Sequence, residues 1–145
     1  MNHTKREINI NDIICDCDYH IAFCTKYKKS ILINEVKELL EDILKEEAKK
    51  LSVEIKELNI HEYYVHLFIS CHTVPGIHIV IKTLKNRSAK ILMDTFPKLK
   101  SSMPNMWTRK YLCSTKPTLD VNLMKVYIES EITRSKKNSH KQEHL

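Results

Sequence analysis

The chain contains a single glycine, Gly76, in 145 residues. Glycine enters left-handed backbone without strain and lets a backbone approach a phosphate closely. With one glycine, turns must rest on Asn, Asp, Ser, Pro and Lys, and no glycine-rich phosphate loop can form. P-loop and dinucleotide-binding architectures are therefore excluded. The length suits one domain with a real core and is short for two. Hydrophobic residues make up 42%, which excludes disorder throughout. A net charge of +6 suits a polyanionic partner without identifying one.

No apolar run reaches the roughly 20 residues that span a bilayer. The N-terminal "MNHTKREININD" has no signal-peptide apolar region, so a cytoplasmic protein is expected. Five cysteines (Cys15, Cys17, Cys24, Cys71, Cys113) form no paired framework and read as small apolar fillers in a reducing compartment. Cys15 and Cys17 resemble half of a zinc site. Cys71 and His72 make a poor second half, because adjacent strand residues point to opposite faces.

"DYHIAFCT" (18–25) reads as a strand followed by the basic turn "KYKKS". "NEVKELLEDILKEEAKK" (34–50) reads as a helix with Asn34 as N-cap and one apolar stripe through Val36, Leu39, Leu40, Ile43, Leu44 and Ala48. "SVEIKELNI" (52–60) is a strand of mixed alternation. "EYYVHLFISC" (62–71) follows with almost no gap, so an antiparallel hairpin is expected. Residues 74–96 suggest a second helix, and Pro97 and Pro104 punctuate a loop. "RKYLCST" (109–115) is a short fourth strand. Residues 119–135 form a last helix, entered after Pro117 and Thr118 or capped by Asp120. This order predicts an α+β, ferredoxin-like (split β-α-β) antiparallel sheet with helices on one face, plus a C-terminal helix that carries a tyrosine. Residues 1–133 are expected to form the single domain and 134–145 a charged, frayed tail.

Period two places Glu62, Tyr64, His66 and Phe68 on one strand face, and Tyr63, Val65, Leu67 and Ile69 on the other. The second set must face the helices, which puts His66 on the open face. On the last helix Tyr127 and Glu131 are four residues apart and share a face. A phenol with an ordinary pKa near 10 is a weak nucleophile unless its electrophile is activated. A divalent metal on a phosphodiester supplies that activation, with His66 and Glu131 as candidate holders. Lys82, Lys85, Arg87 and Lys90 on the second helix are candidates to hold a nucleic acid. Such charge runs are more often solvated faces.

Five stretches resemble, in order, the single-tyrosine HUH transposases, the small enzymes of short hairpin-ended bacterial and archaeal insertion sequences. "YHIAFCTKYKKSIL" resembles their first strand and basic turn, and "YYVHLFIS" their metal strand. "LKNRSAKILMDTFPKLK" resembles the second helix and following loop, "MWTRKYLCST" the fourth strand, and "LMKVYIESE" the tyrosine helix. The resemblance spans residues 18–132. It implies that Tyr127 is the nucleophile forming a 5′-phosphotyrosine link to single-stranded DNA. It puts His66 at the second histidine of the metal motif and Glu131 where a glutamine usually completes the site. Tyr64 falls at the first motif histidine, and a neutral phenol is a poor ligand for Mg2+ or Mn2+, the implied cofactor. The loop "STKPTLDV" lacks the glycines usual before the tyrosine helix. The expected partner is single-stranded DNA with hairpin ends. The expected assembly is a homodimer in which the tyrosine helix acts in trans. The alternative is an impaired or domesticated relative that binds DNA or RNA hairpins as a regulator.

Overall fold

A computed structural model describes residues 17–71, 76–102 and 105–131. Its elements are β1 (Cys17–Cys24), α1 (Asn34–Lys50), β2 (Val53–Ile60), β3 (Tyr64–Cys71), α2 (Ile77–Thr95), α3 (Pro97–Ser102) and β4 (Leu112–Ser114). A last helix, α4, covers 121–131 of the described residues. The sheet order is β2-β3-β1-β4, and all neighbouring strands are antiparallel. β1 and β2 thus run parallel with β3 between them, which is the split β-α-β arrangement. Cys17 lies opposite Cys71 in the β1–β3 register. Cys15 and His72 lie outside the described residues, as do Pro75, Pro104 and the tail.

One sheet face is covered by α1 and α2. Ile21, Phe23, Val65, Leu67 and Ile69 from the central strands meet Leu40, Leu44, Val80, Ile81 and Leu84 there, all buried. Tyr63 does not join them; it is half-buried, with the Lys28 ammonium 4.7 Å from its ring. The other face is not open as expected. Ala22, Cys24 and Leu112 are covered by Met124 and Tyr127 of α4, with Tyr64, Leu119 and Ile128 packed at the margin.

Local chemistry explains most boundaries. Scarce glycine leaves the left-handed positions to Tyr27, Lys28, Asn34 and Ser52, with φ of 62°, 53°, 50° and 58°. Asn34 is therefore not the N-cap. Ile33 holds that position, without a side-chain cap bond, and Asn34 takes the conformation that its short amide tolerates. The stretch after Pro97 is a short helix rather than a loop, because proline's fixed φ suits a first helical position. Asp120 does cap α4: its Oδ1 accepts the Leu123 N–H at 3.1 Å.

The mixed alternation of β2 comes from a register shift between Ile55 and Glu57. Val53 and Ile55 face the helices, and after the shift Leu58 and Ile60 do so instead. A bulge of this kind re-aims every residue beyond it. It carries Glu57 and Asn59 onto the opposite face, with Asn59 directly across from His66.

Candidate active site

Two features share the α4 face of the sheet. The first surrounds His66, which is buried at 4% exposure although it faces away from the main core. Both its ring nitrogens are engaged. Nε2 lies 3.0 Å from His20 Nδ1, and Nδ1 lies 3.2 Å from Asn59 Nδ2. His20 Nε2 lies 3.4 Å from the Pro117 carbonyl, in the loop that enters α4. The His20 ring also stacks on Phe68, with centroids 4.2 Å apart and planes 11° apart. Burial, then the neighbouring His20, hold the His66 imidazole below its ordinary pKa, so the neutral ring is favoured. These side chains border a cavity of about 450 Å³, also lined by Glu57, His61, Tyr64, Leu119 and Met124. The Tyr64 ring, at the edge of this cavity, stacks on His61 with centroids 4.1 Å apart.

The second feature is Tyr127. Its hydroxyl accepts the Cys24 N–H at 3.1 Å and donates to the Lys110 carbonyl at 3.2 Å. Burial, then the neighbouring Cys24, push the phenol well above its ordinary value of 10.0. In this docked position Tyr127 is a protonated, hydrogen-bonded core residue. Burial likewise raises the Cys24 thiol to about 11. One turn on, Glu131 is 4% exposed and its Oε1 has no hydrogen-bond partner among the described residues. Its charge acts on Cys24, Lys85 and Tyr127.

The expected metal set therefore does not come together within one chain. Glu131 does not line the cavity of His66 and Tyr64, and Tyr64 faces His61. Among the described residues, no group of three or more His, Cys, Asp or Glu side chains is placed to hold a metal ion. Each His66 ring nitrogen already has a neighbour within hydrogen-bond distance, His20 on one side and Asn59 on the other. Sequence reasoning missed His20 and Asn59. The signal for His20 was its place on the Ala22–Cys24 face of a strand. Asn59 was hidden by the bulge, which cannot be seen until β2 is paired with β3.

The four basic residues of α2 also separate. Lys82 and Lys85 line a cavity of about 640 Å³ with His78, Trp107, Arg109 and Tyr111. Lys85 donates to the Thr108 carbonyl at 2.6 Å, and burial lowers its pKa. Arg87 turns to α1, where its Nε sits 3.3 Å from Glu47. Lys90 is exposed. The groove thus carries two of the four expected cations and gains Arg109, with aromatic walls.

A ferredoxin-like sheet with a tyrosine helix across its face defines the class, and comparison with known proteins agrees. The profile of the IS200-like transposases ("Transposase IS200 like") matches residues 13–131. The ISDra2 transposase TnpA of Deinococcus radiodurans is 30% identical over 116 residues, covering 79% of this chain and 83% of that protein. The transposase of insertion sequence IS200 from Salmonella typhimurium is 26% identical over 102 residues, covering 69% of this chain and 67% of its own. A crystal structure of a protein from Deinococcus radiodurans R1 superposes with a TM-score of 0.75 at 28% identity, over 86% of this chain and 97% of that one. A REP-associated tyrosine transposase bound to a REP hairpin shares the fold, with a TM-score of 0.57 at 9% identity over 77% and 63% of the two chains. The chain belongs to the IS200-like family of single-tyrosine transposases.

Proposed function

We propose that this protein is a DNA transposase that binds hairpins near the ends of single-stranded DNA and cleaves beside them with Tyr127. The observation that carries this reading is the placement of Tyr127, on a helix laid across the His66 face of the sheet. In the step, the Tyr127 oxygen bonds to phosphorus and the P–O3′ bond breaks. The phenol gives up its proton, and the departing 3′ oxygen takes one up. The 5′-phosphotyrosine keeps the phosphodiester energy, so rejoining needs no separate energy source. The Lys82–Lys85–Arg109 groove supplies cations to hold DNA phosphates.

The docked Tyr127 must first leave its two backbone partners, because burial keeps it protonated. Separation of Glu131 from His66 in one chain favours completion of the site between two copies, the helix of one meeting the sheet of the other. The engaged nitrogens of His66 favour a second reading, a relative that binds hairpins without cleaving.

The test is capture of a covalent adduct on single-stranded DNA bearing hairpin ends, with Mg2+ or Mn2+ supplied. Wild type should form the adduct. Tyr127→Phe should keep hairpin affinity and form none. Hairpin binding with no adduct in wild type selects the second reading.

A further inference from the structure

The ring nitrogens around His66 fix one another's protonation. A carbonyl oxygen only accepts, so the contact to Pro117 requires a proton on His20 Nε2. In the neutral ring His20 Nδ1 is then an acceptor, and the 3.0 Å contact requires His66 Nε2 to donate. That leaves His66 Nδ1 as acceptor, facing the Asn59 amide nitrogen at 3.2 Å, which donates. Every member is satisfied in a single direction: Asn59 to His66, His66 to His20, His20 to Pro117. The chain crosses β2, β3 and β1 in turn and ends three residues before Asp120, the cap of α4. Its last link is the longest and hence the weakest.

We propose that this relay, and not metal ligation, is the task of His66 in the docked chain, and that His20 and Asn59 are positioning residues for Tyr127. The relay pins the loop at Pro117 and so sets where the tyrosine helix begins. His66 has no lone pair left over while the relay stands. A cation at His66 and a pinned α4 loop therefore exclude one another. The significance for Tyr127 rests on the reading of that residue as the nucleophile; the relay itself does not.

Two substitutions at position 20 separate the relay from packing. His20→Phe keeps the stack on Phe68 and removes both polar links. His20→Gln keeps an acceptor for His66 and a donor for Pro117. Hydrogen exchange is followed at the amides of 119–131 in the full chain without DNA. His20→Phe should speed exchange there by roughly three- to tenfold, the weight of about one net hydrogen bond. His20→Gln should return the rate toward wild type. Equal rates in wild type and His20→Phe would overturn the proposal, as would a Gln variant no slower than the Phe one. Nitrogen NMR of the wild-type imidazoles guards against a variant that fails to fold. It should find a proton on Nε2 of the His66 ring and none on its Nδ1, with the His66 signals unmoved by added Mg2+. A proton on His66 Nδ1, or a His66 shift on adding Mg2+, would refute the relay. None of these measurements uses DNA. A missing adduct would therefore count against the proposed chemistry and leave the relay standing.

Discussion

Tyr127→Phe keeps a ring that α4 packs on Cys24 and Leu112, and it removes two hydrogen bonds. The Cys24 N–H then stays buried without its partner. An unpaired buried donor costs about 1–3 kcal/mol. Urea denaturation of Tyr127→Phe should read a loss in that range. A variant as stable as wild type would mean that the phenol is not held as described. At Tyr64 the structure changes what a histidine should achieve. Its neighbour His66 is committed to His20 and Asn59, so Tyr64→His alone should gain little affinity for Mn2+. Adding His20→Phe frees His66 Nε2 and should tighten binding about fivefold or more, the worth of roughly one released hydrogen bond. Calorimetry on the two proteins checks this, and tight binding by Tyr64→His alone would contradict it. Among the site residues, Tyr127 and the face of His66 were legible because period two and the i,i+4 rule need no tertiary knowledge. His20 and Asn59 were not, because their roles depend on strand register.

The elements divide in the same way. The full span of α1 was legible from its apolar stripe, since six apolar residues repeat at helical spacing with lysines closing the end. Its cap was not, because Asn34 takes a left-handed φ of 50° inside the helix start, which leaves the cap position to Ile33. The bulge in β2 left only a trace, a strand whose apolar residues change parity between Ile55 and Leu58. At α4, Asp120 was legible as a cap and serves as one. Asp120→Ala should lower stability and speed amide exchange at the start of the helix. The Leu123 N–H, then Lys116, hold the Asp120 carboxyl below its ordinary value of 3.8. A depressed pKa stabilises the fold above the unfolded value, and this contribution fades as pH falls through about 4 and below. Asp120→Asn should therefore flatten the acid side of the stability profile. An unchanged profile would show that the cap does not titrate with folding.

For the whole molecule, charge and burial make separate demands. If the Lys82–Lys85–Arg109 groove holds phosphates, hairpin affinity should fall steeply with salt. Lys82→Ala should then reduce the log–log slope by roughly 0.7 to 0.9. Arg87→Ala should leave the slope unchanged, since Arg87 is paired with Glu47 on the other side of α2. Equal effects of the two substitutions would place the DNA elsewhere. Alkaline pH tests the packing of α4. Cys24 is raised from 9.0 to about 11 in the fold. A raised acid stabilises fully below its unfolded pKa, and that contribution is lost as pH climbs through the folded one. Stability should therefore decline from about pH 9 to 11, by on the order of 2 to 3 kcal/mol from this thiol, with Tyr127 adding to the loss at higher pH. Cys24→Ala should remove the first part of the decline; a profile identical to wild type would contradict the burial of that face.

Peptide mapping of the covalent product shows which tyrosine attacks the DNA. The chain has six tyrosines, and trypsin cutting after Lys125 and Arg134 leaves one of them, Tyr127, in the peptide 126–134. Wild type is incubated with hairpin-ended single-stranded DNA and Mn2+, digested with trypsin and nuclease, and analysed by mass. Peptide 126–134 should carry the nucleotide, with its 5′ phosphate on the Tyr127 oxygen. A nucleotide on a peptide that holds any other tyrosine, or a covalent product with peptide 126–134 wholly unmodified, would contradict it.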